Sequence, residues 1–150
     1  MKENWEDAIN HVLLWEGGSA IRPNEPGGAV NMGVSLTAFR EEHPGASIQD
    51  LLDMTKDEAK RIFKKNYADK VDFDQLESGL DLIALHCAVM FGVTGYKRLA
   101  EGTNGDIGGL TINMMRNKMH REPEAYRYMR GWADRFKAVY EKAKGLQNKT

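Results

Sequence analysis

A mainly α fold follows from three features of the sequence. Apolar residues recur at helical spacing through most of the chain. The strict alternation that marks a half-buried strand is almost absent. The residues that break regular structure are gathered in a few places, above all between residues 17 and 34. That stretch holds five of the 15 glycines and two of the four prolines.

Each element has a local reason. Asn4 is placed to cap a first helix in which Trp5, Ala8, Ile9, Val12 and Leu13 share one face, and Gly17-Gly18 ends it. Glu16 therefore falls in its last turn. Residues 17–34 form either an irregular loop or a small twisted hairpin, with Pro23 and Pro26 arguing against a central strand. Ser35 reads as the next N-cap, for a helix through Phe39 that stops at Pro44-Gly45. Ser47 caps a short turn carrying Ile48, Leu51 and Leu52. Thr55 and Glu58 have the spacing of a capping box, and Ala59, Ile62, Phe63 and Tyr67 form the inward stripe that follows. Asp72–Ser78 reads as a polar connection. Leu80–Phe91 is apolar nearly all round, the pattern of a buried central helix, with a short helix to Ala100 beyond Gly92. Residues 102–109 form a second glycine-rich loop, and Leu110–Met119 a helix with Ile112, Met115 and Met119 on one side. Pro123 suits a first helical position. Ala125, Met129, Trp132, Phe136, Val139 and Ala143 mark a long stripe, with a frayed tail from Gly145.

At 150 residues the chain can bury about two-thirds of its extended-chain surface in one core. Its net charge of −1 selects no partner. The distribution is uneven: residues 1–114 carry 11 Lys/Arg against 18 Asp/Glu, and residues 115–150 carry 10 against 4. The basic end is either a solvated helix face or a surface for a polyanion, in which Arg121, Arg127, Arg130 and Arg135 would meet phosphates; no nucleic-acid reader motif accompanies it. With one cysteine, Cys87, an intrachain disulfide is excluded. The acidic N-terminus lacks the apolar core of a signal peptide. The apolar run Leu82–Val93 is too short to span a bilayer. Membrane insertion is therefore not expected.

Two carboxylates stand out. Glu16 at a helix C-terminus faces the negative end of the helix dipole, which favours the neutral acid, and Trp15 beside it offers apolar cover. A general acid needs that environment. Glu25, nine residues on in the broken loop, is the obvious second carboxylate, since glycosidases commonly use two. On position alone, a solvated glutamate at a frayed helix end and a plain turn residue explain them equally well. His11, His43, His86 and His120 have no metal-ligand spacing, and His86 and Cys87 read as core residues. The methionines near 114–129 read as core filler. Neither glycine loop matches a phosphate-cradling pattern, so no metal and no cofactor is expected.

These residues carry a resemblance. Glu16-Gly-Gly, Asn24-Glu-Pro-Gly-Gly-Ala and Asn31-Met-Gly-Val-Ser are similar to the opening of the glycoside hydrolase family 108 muramidases, which include phage endolysins. Phe63-Lys-Lys-Asn-Tyr67, Ala84–Gly92, Gly105–Thr111 and Arg130–Arg135 extend the likeness over nearly the whole chain. It implies a lysozyme-like helical fold, a muramidase region over 1–100, and a C-terminal peptidoglycan-binding module over 101–150 packed on it as one compact unit. It implies cleavage of the β-1,4 bond between N-acetylmuramic acid and N-acetylglucosamine in a peptidoglycan strand, with Glu16 as general acid and Glu25 as second carboxylate.

The chain departs from the family pattern at several cleft positions. Glu25 replaces an Asp, Val30 a Thr, Ser19 and Met32 aromatics, and His86 and Met90 an Asp and an Asn. Asn31, Val30, Met32, His86 and Met90 are the expected substrate-binding positions. The alternative is a catalytically impaired lysozyme-like protein that binds a protein partner or a glycan. The expected route is cytoplasmic synthesis followed by passage to the cell wall through a holin or a dedicated export system.

Overall fold

The computed structural model describes residues 2–21, 27–121 and 129–149. The chain divides into two compact units, Ile9–Asn66 and Met1–Ala8 with Tyr67–Thr150.

The helix α1 (Trp5–Glu16), which belongs to the first unit from Ile9 onward, ends where expected, at Gly17. The glycine-rich stretch is a small antiparallel sheet of β1 (Ser19–Ile21), β2 (Ala29–Asn31) and β3 (Val34–Ser35), in that spatial order. Val30 stands opposite Ala20 on one side and Ser35 on the other. Pro23 and Pro26 lie outside the described residues.

Three short helices complete the unit. The helix α2 (Leu36–Glu42) starts from Ser35, whose hydroxyl accepts the Ala38 N–H at 3.2 Å. The helix α3 (Ile48–Leu52) has a full capping box: the Ser47 hydroxyl accepts from Asp50 N–H at 3.1 Å, and the Asp50 carboxylate accepts from Ser47 N–H at 2.7 Å. The helix α4 (Lys56–Phe63) has only half of the box its sequence predicts. Thr55 accepts the Glu58 N–H at 3.2 Å, but the Glu58 carboxylate bonds His43 instead. A tertiary partner at the end of α2 has replaced the local one. Ala59, Ile62 and Phe63 are buried, and Tyr67 is half-buried one π-turn further on (Lys64–Ala68).

In the second unit α5 (Leu80–Ala100) is the core helix: every residue from Asp81 to Ala88 is buried. It has the length and composition of a membrane-spanning helix, with 44% of the qualifying window buried inside the protein. Gly92, at φ 78° and ψ 163°, kinks it into the two segments the sequence predicts. The helix packs on α6 (Ile107–Arg121), on α7 (Met129–Gln147), and on 3-10 turns at Asp69–Val71 and Phe73–Gln75. The second turn brings a buried Phe73 edge-on to Trp5, so the segment expected as a polar connection contributes to the core.

Two boundaries differ from expectation. The helix α6 begins at Ile107, not Leu110, because the Asp106 carboxylate accepts the N–H groups of Gly108 (3.3 Å) and Gly109 (2.7 Å). This cap makes helix out of residues whose glycines read as loop. At the other end α7 runs to Gln147 with Leu146 buried, so Gly145 starts no fray. Pro123 and Ala125 lie outside the described residues.

A hydrogen-bonded chain ties the ends of this unit. The Asn4 amide donates to Ser78 Oγ (2.9 Å) and Asp81 Oδ2 (2.7 Å), and Ser78 Oγ donates to the Leu146 carbonyl (3.0 Å). The other Asp81 oxygen accepts from Gly79 and Leu82 N–H, satisfying donors at the start of α5. Gly79 is required here: at φ 92° a Cβ would sit 2.4 Å from the Ala143 carbonyl oxygen of α7.

Asn4→Ala leaves the buried Asp81 with one donor fewer. It should lower unfolding free energy by about 1–3 kcal/mol in urea denaturation. The two hydrogen bonds from Ser47, backbone first, hold the Asp50 carboxyl below its ordinary value of 3.8. A depressed carboxyl pKa contributes stability above the unfolded value and loses it as pH falls through the folded one. Asp50→Asn should therefore lower the urea midpoint at neutral pH. The gap from wild type should narrow as pH falls and close once it is below the depressed folded-state value of Asp50.

Candidate active site

The residues singled out in the sequence divide between the two units. Glu16, Val30, Asn31 and Met32 belong to Ile9–Asn66, and His86 and Met90 to the other unit. Glu25 lies outside the described residues.

The first unit builds a carboxylate site at the C-terminal end of α1. Glu16 is half-buried there. Against its stem lies Gly33, in the turn between β2 and β3. A Cβ on Gly33 would fall 2.8 Å from Glu16 Cβ, 3.2 Å from Glu16 Cγ and 3.1 Å from Phe63 Cζ. Glycine alone lets the turn backbone press on the catalytic candidate while the Phe63 ring of α4 supports the same spot. The turn also requires its conformation, since Met32 has φ 47° and Gly33 φ 79°. The Met32 N–H donates to the Gly18 carbonyl at 2.9 Å, two residues past Glu16. The sheet turn is thus anchored to both sides of the helix end.

The neighbouring positions play distinct parts. Asn31 is buried, and its amide donates to the carbonyls of Leu51 (3.0 Å) and Leu52 (3.2 Å). It holds β2 on the C-terminal turn of α3, sharing the Leu51 carbonyl with the Met54 N–H (3.1 Å). Val30, between buried Ala29 and Asn31, is half-buried and faces the opposite side of the sheet. Its side chain presents methyl groups and no hydrogen-bonding group on that side. Trp15 is half-buried, with an indole Nε1 that is buried and has no hydrogen-bond partner among the described residues.

In the other unit His86 is fully buried within α5, with no surface for a substrate to touch. Cys87 beside it is also buried, and desolvation pushes its thiol up to about 12. Met90 is half-buried, two residues before the kink.

A small open pocket elsewhere in the first unit is lined by Glu42, His43, Glu58, Arg61, Ile62 and Lys65. Its acids are engaged, Glu58 with His43 and Glu42 with Lys65. None of the positions expected from the sequence lines it.

With that geometry in place, the comparisons decide the family. The model of the family described as glycosyl hydrolase 108 matches residues 9–92. The chain belongs to that family. The match contains all of α1 from Ile9, the sheet, Gly33, α4 and the kink of α5. Membership in glycosyl hydrolase 108 makes a glycoside hydrolase acting on peptidoglycan its class of activity. No curated protein matches the chain. Among solved structures it is similar to one titled structure of Brucella abortus SagA. The TM-score is 0.76 at 23% identity, over 98% of this chain and 97% of that chain. That likeness bears on the fold, and it agrees with the mainly helical, lysozyme-like architecture the resemblance implies.

Gly33 is the site residue that sequence reading underrates: it stands inside the Asn31-Met-Gly motif, yet nothing local says what it touches. Gly33→Ala should force Glu16 Cβ and the Phe63 ring apart and strain a left-handed backbone. A loss of about 2 kcal/mol by thermal unfolding is expected, together with a fall in glycan cleavage measured where the variant remains folded.

Proposed function

We propose that the chain is an N-acetylmuramidase that uses Glu16 to protonate the leaving oxygen of the β-1,4 bond between N-acetylmuramic acid and N-acetylglucosamine. The observation that carries this is the half-buried Glu16 at the end of α1, braced by Gly33 and Phe63, inside the stretch that matches the glycosyl hydrolase 108 family. The packing against Gly33 limits the rotamers of the Glu16 stem, which is what a proton donor aimed at one oxygen requires.

In this reading the bond from the anomeric carbon to the bridging oxygen breaks with its electron pair on oxygen. Glu16 supplies the proton that makes that oxygen a hydroxyl. A water adds its oxygen to the anomeric carbon, and Glu25 takes the proton that water releases. The half-exposed row of Val30, Ala20 and Ser35 on the open face of the sheet forms a wall for the sugar.

Glu16→Gln preserves shape and removes the proton. It should reduce muropeptide release from purified peptidoglycan by roughly 10²–10⁴-fold at unchanged melting temperature, read by mass spectrometry of the digest. Equal digestion by wild type and variant would remove Glu16 from the mechanism.

Val30 favours a second reading, a binding protein descended from an enzyme. If Thr at this position orients the attacking water, Val30→Thr should raise turnover by up to about 10²-fold. A wild type that releases no muropeptides yet pulls down intact peptidoglycan would select the binding reading.

A further inference from the structure

The cationic C-terminal end acquires a more specific meaning from the way α6 is buried. One stripe of α6, Ile107, Leu110 and Met114, is fully buried. A second apolar stripe, Ile112, Met115 and Met119, stands roughly 140° round the helix, at the spacing of 3.6 residues per turn. These three side chains remain 50%, 38% and 54% exposed. The expectation that the methionines here fill the core therefore holds for Met114 and fails for Met115 and Met119.

The charged residues that α6 itself carries are all of one sign. The 15-residue helix contains Arg116, Lys118 and Arg121 and no acidic residue. Arg116 borders the stripe on one side and Lys118 on the other, and the Lys118 ammonium lies 3.9 Å from the centre of the Trp132 ring on α7. Arg135, which the sequence alone offers to phosphates, is instead buried.

We propose that this face of α6 docks on an anionic lipid surface. Ile112, Met115 and Met119 enter the acyl boundary, and Arg116 and Lys118 meet the phosphates of the headgroups. Apolar side chains between cations are the pattern of a helix lying in a membrane interface. A polyanion such as a nucleic acid would use the cations and gain nothing from three exposed apolar side chains. A second copy of the chain fits worse, because two such faces would oppose Arg116 and Lys118 to their own likes. The charge complementarity therefore selects phospholipid. The inference is independent of Glu16 and of whether any bond is cut.

The test is co-sedimentation of the full chain with vesicles of phosphatidylethanolamine and phosphatidylglycerol, beside vesicles of phosphatidylcholine alone. Binding is expected to the anionic vesicles and to weaken with added salt. Met115→Ser combined with Met119→Ser should weaken it about tenfold, and Arg116→Glu should weaken it as well. All three positions are exposed, so the melting temperature should stay near wild type and separate lost docking from lost folding. Equal binding to both vesicle types would overturn the proposal, as would binding that the serine substitutions leave unchanged. Retention on double-stranded DNA that survives the serine substitutions, with no sedimentation on vesicles, would assign the face to a polyanion and overturn it too.

Discussion

The contact of Gly33 with Glu16 is the constraint on which the candidate site depends. A turn can press its backbone onto the stem of an acid only where the turn residue has no side chain, and only if φ can be positive there. Gly33 meets both conditions. The consequences spread through short links. The turn fixes β2 against β3, β2 carries Asn31 to the last carbonyls of α3, and Phe63 closes the same contact from α4. Position and support of the acid are therefore one problem, in which the turn backbone takes a direct part.

The other unit is held by the same device. Gly79 brings the start of α5 against the end of α7, closer than any residue with a Cβ would permit. The close approach puts Ser78 within reach of the Leu146 carbonyl and lets Asn4 join both Ser78 and the buried Asp81. Asp81 is tolerable in the core because it accepts from backbone N–H groups at a helix start, where donors would otherwise lack partners.

Much of the fold was legible because its signals are local. Ser35, Ser47 and Thr55 all cap the helices they precede, and the apolar run before Gly92 is the buried one. What was hidden depends on partners distant in sequence. Glu58 prefers His43 to its own cap, Phe73 turns a polar-looking link into core, and Leu146 is packed where the tail reads as frayed. Asp106 is a local signal that glycines on its C-terminal side obscured. At the site, the place of Glu16 at a helix end could be read from Gly17-Gly18. Its contact with Gly33 could not, since periodicity carries no information about which turn meets which helix end. Nor could the motif around Asn31 show that its amide donates to the Leu51 and Leu52 carbonyls, a partnership across 20 and 21 residues of sequence.

The burial of Cys87 has a consequence for the reactivity of its thiol. A thiol held at about 12 in an apolar core supplies almost no thiolate at neutral pH, and thiolate is the species that attacks disulfides and oxidants. The single cysteine therefore offers no exposed, reactive thiolate. Cys87 so placed is poorly suited to cross-linking copies of the chain or forming mixed disulfides.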